Sequence, residues 1–150
     1  MAQTCSRSYH HVVFSTKKRQ PFLSPKIRPA VWSYMHGIAK ENGFEIVEIN
    51  GVADHVHILV ALPTTMRIAQ AVQFIKGGSS YWIRRTYPFL NDFRWQEGYG
   101  SFSIGQSQVE GTVEYIRNQE ERHRTRTFEE EYRSFVTAHG LTVDERYLFD

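Results

Sequence analysis

The succession of strand-like and helix-like stretches predicts an α+β chain of ferredoxin-like type, β-α-β-β-α-β, with helices on one face of the sheet and further helices appended at the C-terminus. Three observations predict it. Four segments are rich in β-branched and aromatic residues, and two longer segments between them repeat apolar residues at helical spacing. The two middle strand segments, 44–53 and 54–63, follow each other with no helix between them. At 150 residues the chain is most simply one domain, 1–150, long enough to bury a core.

Each element has its own signal. "YHHVVFSTK" (9–17) is β-branched and apolar, and the basic "KKRQP" turn ends it. Ser24 followed by Pro25 predicts a helix start, with Ser24 as N-cap and proline at the first helical position. Ile27, Val31, Tyr34, Met35 and Ile38 then recur at helical spacing as far as the Asn42-Gly43 stop. "FEIVEINGVA" (44–53) alternates as a second strand, and "DHVHILVALP" (54–63) is a third, closed by Pro63. Residues 66–87 read as a second helix. Gly77-Gly78 in its middle costs about 1 kcal/mol per glycine relative to alanine, which predicts a bend or a close approach to the backbone. "FRWQEGYGSFSIG" (93–105) predicts a fourth strand or hairpin. A third helix is expected over about 107–121, and "FEEEYRSFVTAHG" (128–140) makes a fourth, stopped by Gly140. On this plan the second face of the sheet is left free for a site or a partner.

Composition narrows the function. An apolar share of 41% with 14% aromatics excludes a disordered chain. The single cysteine, Cys5, excludes an internal disulfide and suits a reducing compartment. The start has no charged-then-apolar signal pattern, and no apolar run approaches a membrane span, so a soluble, cytoplasmic (nucleoid-associated) protein with no membrane partner is expected. The net charge of +2 hides a split. Residues 1–91 carry 11 Lys/Arg against four carboxylates, whereas residues 92–150 carry 7 against 12. From His55 to Asn91 there is no acid at all. Uneven charge of this kind favours a polyanion-binding surface over scattered solvated lysines.

Two short stretches carry chemistry. In "DHVHILV" (54–60), His55 and His57 point to one face of a strand while Val56 points to the other. Ile58, Val60 and Leu62 continue the Val56 face, assigned to the core under the helices. The histidines then lie on the opposite face, where two imidazoles can bind one divalent ion. Two satisfied histidines on a strand are the plainer alternative, and two nitrogens alone do not complete a metal site. In "VEYIRNQEE" (113–121), Val109, Val113 and Ile116 form the apolar stripe, and Tyr115 lies well away from it beside Gln108, Gln119 and Arg122. Tyr115 and Gln119 are one turn apart on one face. A half-exposed tyrosine beside a surface glutamine is the plainer reading of that pair.

Together, "HVH" on a strand of this topology and "YIRNQ" on a late helix resemble the single-tyrosine transposases of small bacterial insertion sequences, in the HUH nuclease superfamily. "WQEGYGSFSI" and "FIKGGSS" are similar to stretches of the same family, and the resemblance runs from the first strand to the end of the tyrosine helix. It implies an enzyme that nicks and rejoins single-stranded DNA bearing hairpin ends. Tyr115, on an appended catalytic helix, would be the nucleophile, giving a 5′-phosphotyrosine and a free 3′-hydroxyl. His55, His57 and Gln119 would hold one Mg²⁺ or Mn²⁺. The family also implies a homodimer in which the tyrosine helix of one subunit serves the partner's histidine pair. Lys17, Lys18, Arg19, Lys76, Arg84, Arg85 and Arg122 are the candidate DNA contacts, with Tyr81 and Trp82 available for stacking. Arg124 and Arg126 either join them or pair with nearby acids. Three rivals stay open: a non-catalytic nucleic-acid-binding module of the same topology, a domesticated relative that processes host repeat hairpins, and a structural metal-binding domain. The first would need aromatics on its central strands, where this chain has His55, His57, Leu59 and Ala61.

Overall fold

Alternation along the strands sets the architecture. In the computed structural model, which describes residues 2–150, the elements are β1 (Ser8–Ser15), α1 (Arg28–Glu41), β2 (Glu45–Gly51), β3 (His55–Leu62), α2 (Ile68–Thr86), β4 (Gly100–Ile104), α3 (Val109–Arg117), α4 (Gln119–Arg122) and α5 (Phe128–Ala138). The strand order is β2-β3-β1-β4 with every neighbouring pair antiparallel, the ferredoxin-like order expected. β1 and β3 are central, so both of their faces need cover. Their register pairs Phe14 with Val56 and Val13 with His57. The β2–β3 turn is tight: a Cβ on Gly51 would lie 2.2 Å from the His55 carbonyl oxygen, so only glycine fits.

One face packs as the apolar pattern requires. Val12, Phe14, Val56, Ile58 and Val60 meet Val31 and Met35 of α1 and Ala71, Val72 and Ile75 of α2. α2 runs without a break through the glycine pair. Gly78 instead lets α1 approach, since a Cβ there would sit 2.8 Å from Ile38 Cδ1. The limits of β1, β2 and β3 fall close to expectation, whereas the fourth, expected over 93–105, is the shorter β4, preceded by an isolated bridge between Thr16 and Trp95. α1 starts later, at Arg28 with Ile27 as N-cap, because residues 25–27 form a turn and Pro29 supplies the helical start.

The other face is not free. α3 lies along β2 and β3, and α5 packs near β4. Phe128, Tyr132 and Val136 of α5 form a second buried cluster with Val13 and Phe102. The molecule therefore has three layers: α1 and α2 on one face as expected, the appended helices on the other, and the expectation that the second face is left free is corrected. Residues 128, 131, 132, 135 and 136 fall at helical spacing, so α5 has a stripe to bury, and the second sheet face is where it does so. The expected third helix is also divided. It breaks at Asn118 (φ −95°, ψ 23°) into α3 and the short α4, which turns Gln119 inward.

The chain's end is fastened beneath. Gln96 Nε2 donates to the Leu148 carbonyl at 3.2 Å, and Lys18 N donates to the Phe149 carbonyl at 3.1 Å. The Phe149 ring lies 5.5 Å from that of Phe128. Truncating Phe128, which is 2% exposed, should release the third layer ahead of the rest. In Phe128→Ala, hydrogen exchange at α5 amides should speed up well beyond that at β1 and β3, with a loss on the scale of about 3–5 kcal/mol for a buried phenylalanine. Equal acceleration throughout would mean that α5 is not a separately docked layer.

Candidate metal centre

The histidine pair lies where the strand pattern put it, opposite Val56 and Ile58, but under a roof. His55 and His57 are both 0% exposed. β1 contributes His11 to the same face, and α3, α4 and α5 close over it with Tyr115, Gln119 and Glu131. His123, just past α4, completes the ring of polar groups. Glu131 is 1% exposed, and its carboxylate is the hub.

One oxygen, Oε1, meets the imidazoles. His57 Nε2 is 2.8 Å from it, His123 Nε2 3.1 Å and His55 Nε2 3.6 Å. The other, Oε2, accepts from the Tyr115 hydroxyl and from Gln119 Nε2 at 3.2 Å. Gln119 Oε1 faces back toward the same nitrogens, 3.3 Å from His55 Nε2 and 3.1 Å from His123 Nε2. Outside this ring each strand histidine has a second partner. Asp54 Oδ1 lies 2.8 Å from His55 Nδ1, and His11 Nε2 lies 2.9 Å from His57 Nδ1. Arg19 Nε reaches the other Asp54 oxygen at 3.4 Å. Partners of this sort fix ring orientation and tautomer.

The charges follow from these contacts. Burial would raise Glu131, but hydrogen bonds from His123, His55 and His57 outweigh it and hold the carboxyl far below its ordinary range. Burial would lower His55, yet the Asp54 and Glu131 carboxylates raise it. His57 falls to about 4 and His11 to about 3, in both cases mainly by burial. Tyr115 is pushed up by burial and by the Glu131 carboxylate, so the phenol holds its proton firmly. Arg122 works against that, with its guanidinium 4.1 Å above the Tyr115 ring.

The donor set suits a divalent cation. The ligand atoms of His55, His57, His123 and Glu131 lie within 4.8 Å of one another, not far beyond twice a metal–ligand bond of about 2.1 Å. Three imidazoles and a carboxylate are a common ligand set for transition metals, and Gln119 Oε1 adds an amide oxygen beside them. Tyr115 stands at this centre within its own chain.

The candidate DNA contacts divide among several places. Lys17, Lys76 and Arg84 line one cleft of about 740 Å³ with Arg94, between α2 and residues 91–97. Lys76 has its amine on three carbonyls, those of Gln96, Glu97 and Gly98, at 2.6, 3.1 and 2.7 Å, and burial lowers it to about 8. It clamps that loop, and a phosphate would have to displace a carbonyl. Arg19 lines a second cleft with Arg124 and Arg126 beside Asp54 and His123. Lys18 is exposed on the turn after β1, where both it and Arg19 adopt positive φ (54° and 59°). Arg85 lies over Tyr81, while Trp82 stacks on Tyr34 at 4.6 Å.

Sequence reasoning missed Asp54, His11, His123 and Glu131. Glu131 did leave a signal: it is a carboxylate inside the apolar stripe of α5, flanked at helical spacing by Phe128 and Phe135.

The depressed histidines give a pH dependence of one sign. Below about 6.5 the unfolded chain protonates His11 and His57, while the folded chain refuses those protons until about 3–4, so their stabilisation is lost on acidification. Glu131 adds loss of the same sign at more acid pH, whereas raised His55 acts oppositely, losing its contribution as pH rises. The metal-free thermal midpoint should fall between about pH 6.5 and 4, and His11→Asn should make that fall shallower. A slope unchanged by His11→Asn would show that His11 is not a source of it.

Comparison with known proteins identifies the family and the fold. The family described as "Transposase IS200 like" matches residues 4–119. The transposase for insertion sequence element IS200 of Salmonella typhimurium is 28% identical over 125 residues, covering 79% of this chain and 81% of that protein. The ISDra2 transposase TnpA of Deinococcus radiodurans is 27% identical over 86 residues, 57% of this chain and 61% of that one. Among solved structures, a Deinococcus radiodurans R1 protein described as a transposase superposes with a TM-score of 0.66 at 22% identity, covering 79% of this chain and 95% of its own. A REP-associated tyrosine transposase bound to a REP hairpin gives 0.61 at 16%, covering 82% and 74%. The fold is thus shared with both, and with more than two thirds of its length matched, the chain belongs to the IS200-like transposase family.

Proposed function

We propose that this transposase cleaves and rejoins single-stranded DNA with Tyr115 as nucleophile and a divalent ion held by His55, His57 and Gln119. One observation carries the reading: the Tyr115 hydroxyl is bound to one oxygen of the Glu131 carboxylate and His57 to the other, with His55 Nε2 3.6 Å from that second oxygen. Tyr115 Oη forms the new bond to phosphorus as the bond to the 3′-oxygen breaks, leaving a 5′-phosphotyrosine and a free 3′-hydroxyl. The proton lost by the phenol is balanced by the one that the 3′-oxygen gains. The phosphodiester energy is kept in the tyrosyl ester, so rejoining is the same step reversed. A bound cation would neutralise the phosphate and stabilise the departing oxygen. This chain's own residues do the rest. Arg122 sits over the phenol and favours its anion, Asp54 and His11 fix the two imidazoles, and Arg19, Arg124 and Arg126 offer cations along the neighbouring cleft. Imidazole nitrogens favour Mn²⁺ over Mg²⁺. The hairpin seen with a neighbour of the same fold supports hairpin-ended DNA as the substrate.

Labelled single-stranded DNA carrying the element's end hairpin, mixed with protein and Mn²⁺, should give an adduct that survives denaturation. Tyr115→Phe should abolish it. His57→Ala should reduce it at least about 100-fold while leaving hairpin binding largely intact. Loss of binding in step with cleavage would make the histidines structural.

The resemblance implies a homodimer with exchanged tyrosine helices, but the geometry supports a tyrosine that serves its own chain. Mixing His57→Ala with Tyr115→Phe should therefore restore no adduct. Recovery in the mixture would show exchange.

A further inference from the structure

Residues beyond the family's matched segment reach the centre. The match ends at residue 119, yet His123 and Glu131 supply two of the four clustered ligand atoms. We propose that Glu131 bridges the two halves of the chemistry, with Oε1 a ligand of the cation and Oε2 the group that holds the Tyr115 hydroxyl toward it, and that His123 is a further ligand. The proposal rests on the metal-dependent reading above and extends it to residues on and just before α5.

Three features of the structure carry it. A carboxylate with one oxygen among three imidazole nitrogens and the other on a phenol is divided between two tasks by its geometry. Nothing in packing calls for it, since its helical neighbours at this face, Phe128, Tyr132 and Phe135, are aromatic. His123 is directed inward by α4, and its Nε2 lies 3.1 Å from both Glu131 Oε1 and Gln119 Oε1, the two oxygens that converge on the histidine pair. A polar group that only stabilised the roof would need one partner. This one has five.

Wild-type protein, Glu131→Gln, His123→Ala and His57→Ala would be titrated with Mn²⁺ by calorimetry, then assayed for the DNA adduct at saturating Mn²⁺. Glu131→Gln should weaken Mn²⁺ by about 100-fold or more, and His123→Ala by at least about tenfold. With the ion restored by excess Mn²⁺, Glu131→Gln should still form adduct more slowly, because a neutral amide cannot both ligate the ion and hold the phenol as the charged carboxylate does. Mn²⁺ affinity equal to wild type in Glu131→Gln would overturn the proposal while the function stands, provided that His57→Ala loses the ion. Weakened affinity with a wild-type adduct rate would overturn the bridging role. A wild-type chain that binds no Mn²⁺ would sink the metal reading and this one together. Electron–nuclear double resonance on wild-type protein labelled with ¹³C-carboxyl glutamate needs no variant to fold. A ¹³C coupling to bound Mn²⁺ is expected, and its absence would overturn the ligand assignment.

Discussion

One buried carboxylate ties together the polar groups on the second face of the sheet. Glu131 gathers His55 and His57 from β3, His123 from the stretch after α4, Gln119 from α4 and Tyr115 from α3. Taking an anion out of water is expensive, and leaving it without a partner would cost about 3–5 kcal/mol. The arrangement is sustained only because apolar contacts press α5 onto the sheet: Phe128 and Tyr132 against Val13 and Phe102, with the Phe128 ring stacked 4.1 Å from His55. Across the sheet, at the same level, hydrocarbon from Val56 and Ile58 does the equivalent packing without any charge. The two faces of β3 thus solve the same burial problem differently. The costly solution stands where the chemistry is proposed, as strained or charged cores tend to.

The charge asymmetry of the chain takes on a different meaning once folded. Much of the acidic excess after residue 91 is engaged locally or across to a basic partner. Glu120 pairs with Arg28 at 3.3 Å, Glu121 with Arg124 at 3.4 Å, and both Glu129 and Glu145 with Arg133. These are mostly exposed pairs and contribute little to stability. Their effect is on the field: acid charge is neutralised near the C-terminal helices, while the cleft beside Arg84 and Arg94 gathers four basic side chains, with Lys17 and Lys76, against Asp92 and Glu97. Lys76 is the exception, a lysine whose role is to close a loop.

How much of this was legible depends on the range of the interaction. Strand alternation is local, so it correctly set His55 and His57 opposite the Val56 face, and the spacing of Tyr115 and Gln119 correctly set them apart from the Ile116 stripe. Burial of those histidines was not legible, because it depends on α5, about 70 residues further along the chain. That α5 packs on the sheet follows from contacts between distant segments, which periodicity along one helix does not specify. Glu131 was hidden by company: Glu129 and Glu130 precede it, and three acids in a row read as a solvated face. Only its place within the stripe of Phe128, Tyr132 and Phe135 separates it from them. The break at Asn118 was equally invisible, since nothing in "YIRNQEE" forbids a continuous helix. Yet that break is what brings Gln119 to full burial.

The same dependence constrains how the site can be built. Phenol, imidazoles and carboxylate come from separate segments, and no one of them packs the others into place. Tyr115 is held through α3 on β2 and β3, the histidines through β3 itself, and Glu131 through the apolar stripe of α5. Preorganisation of this kind is effective only if each segment is anchored independently, because a shift of about 1 Å in any of them separates the clustered groups. The second apolar cluster is small beside the first, so α5 is the least secured of the three anchors. The tail strapped to the turn at residues 16–18 and to residues 96–97 compensates, placing Phe149 against Phe128 from below. A segment that supplies one clustered carboxylate to the centre thus receives its support from the last residues of the chain.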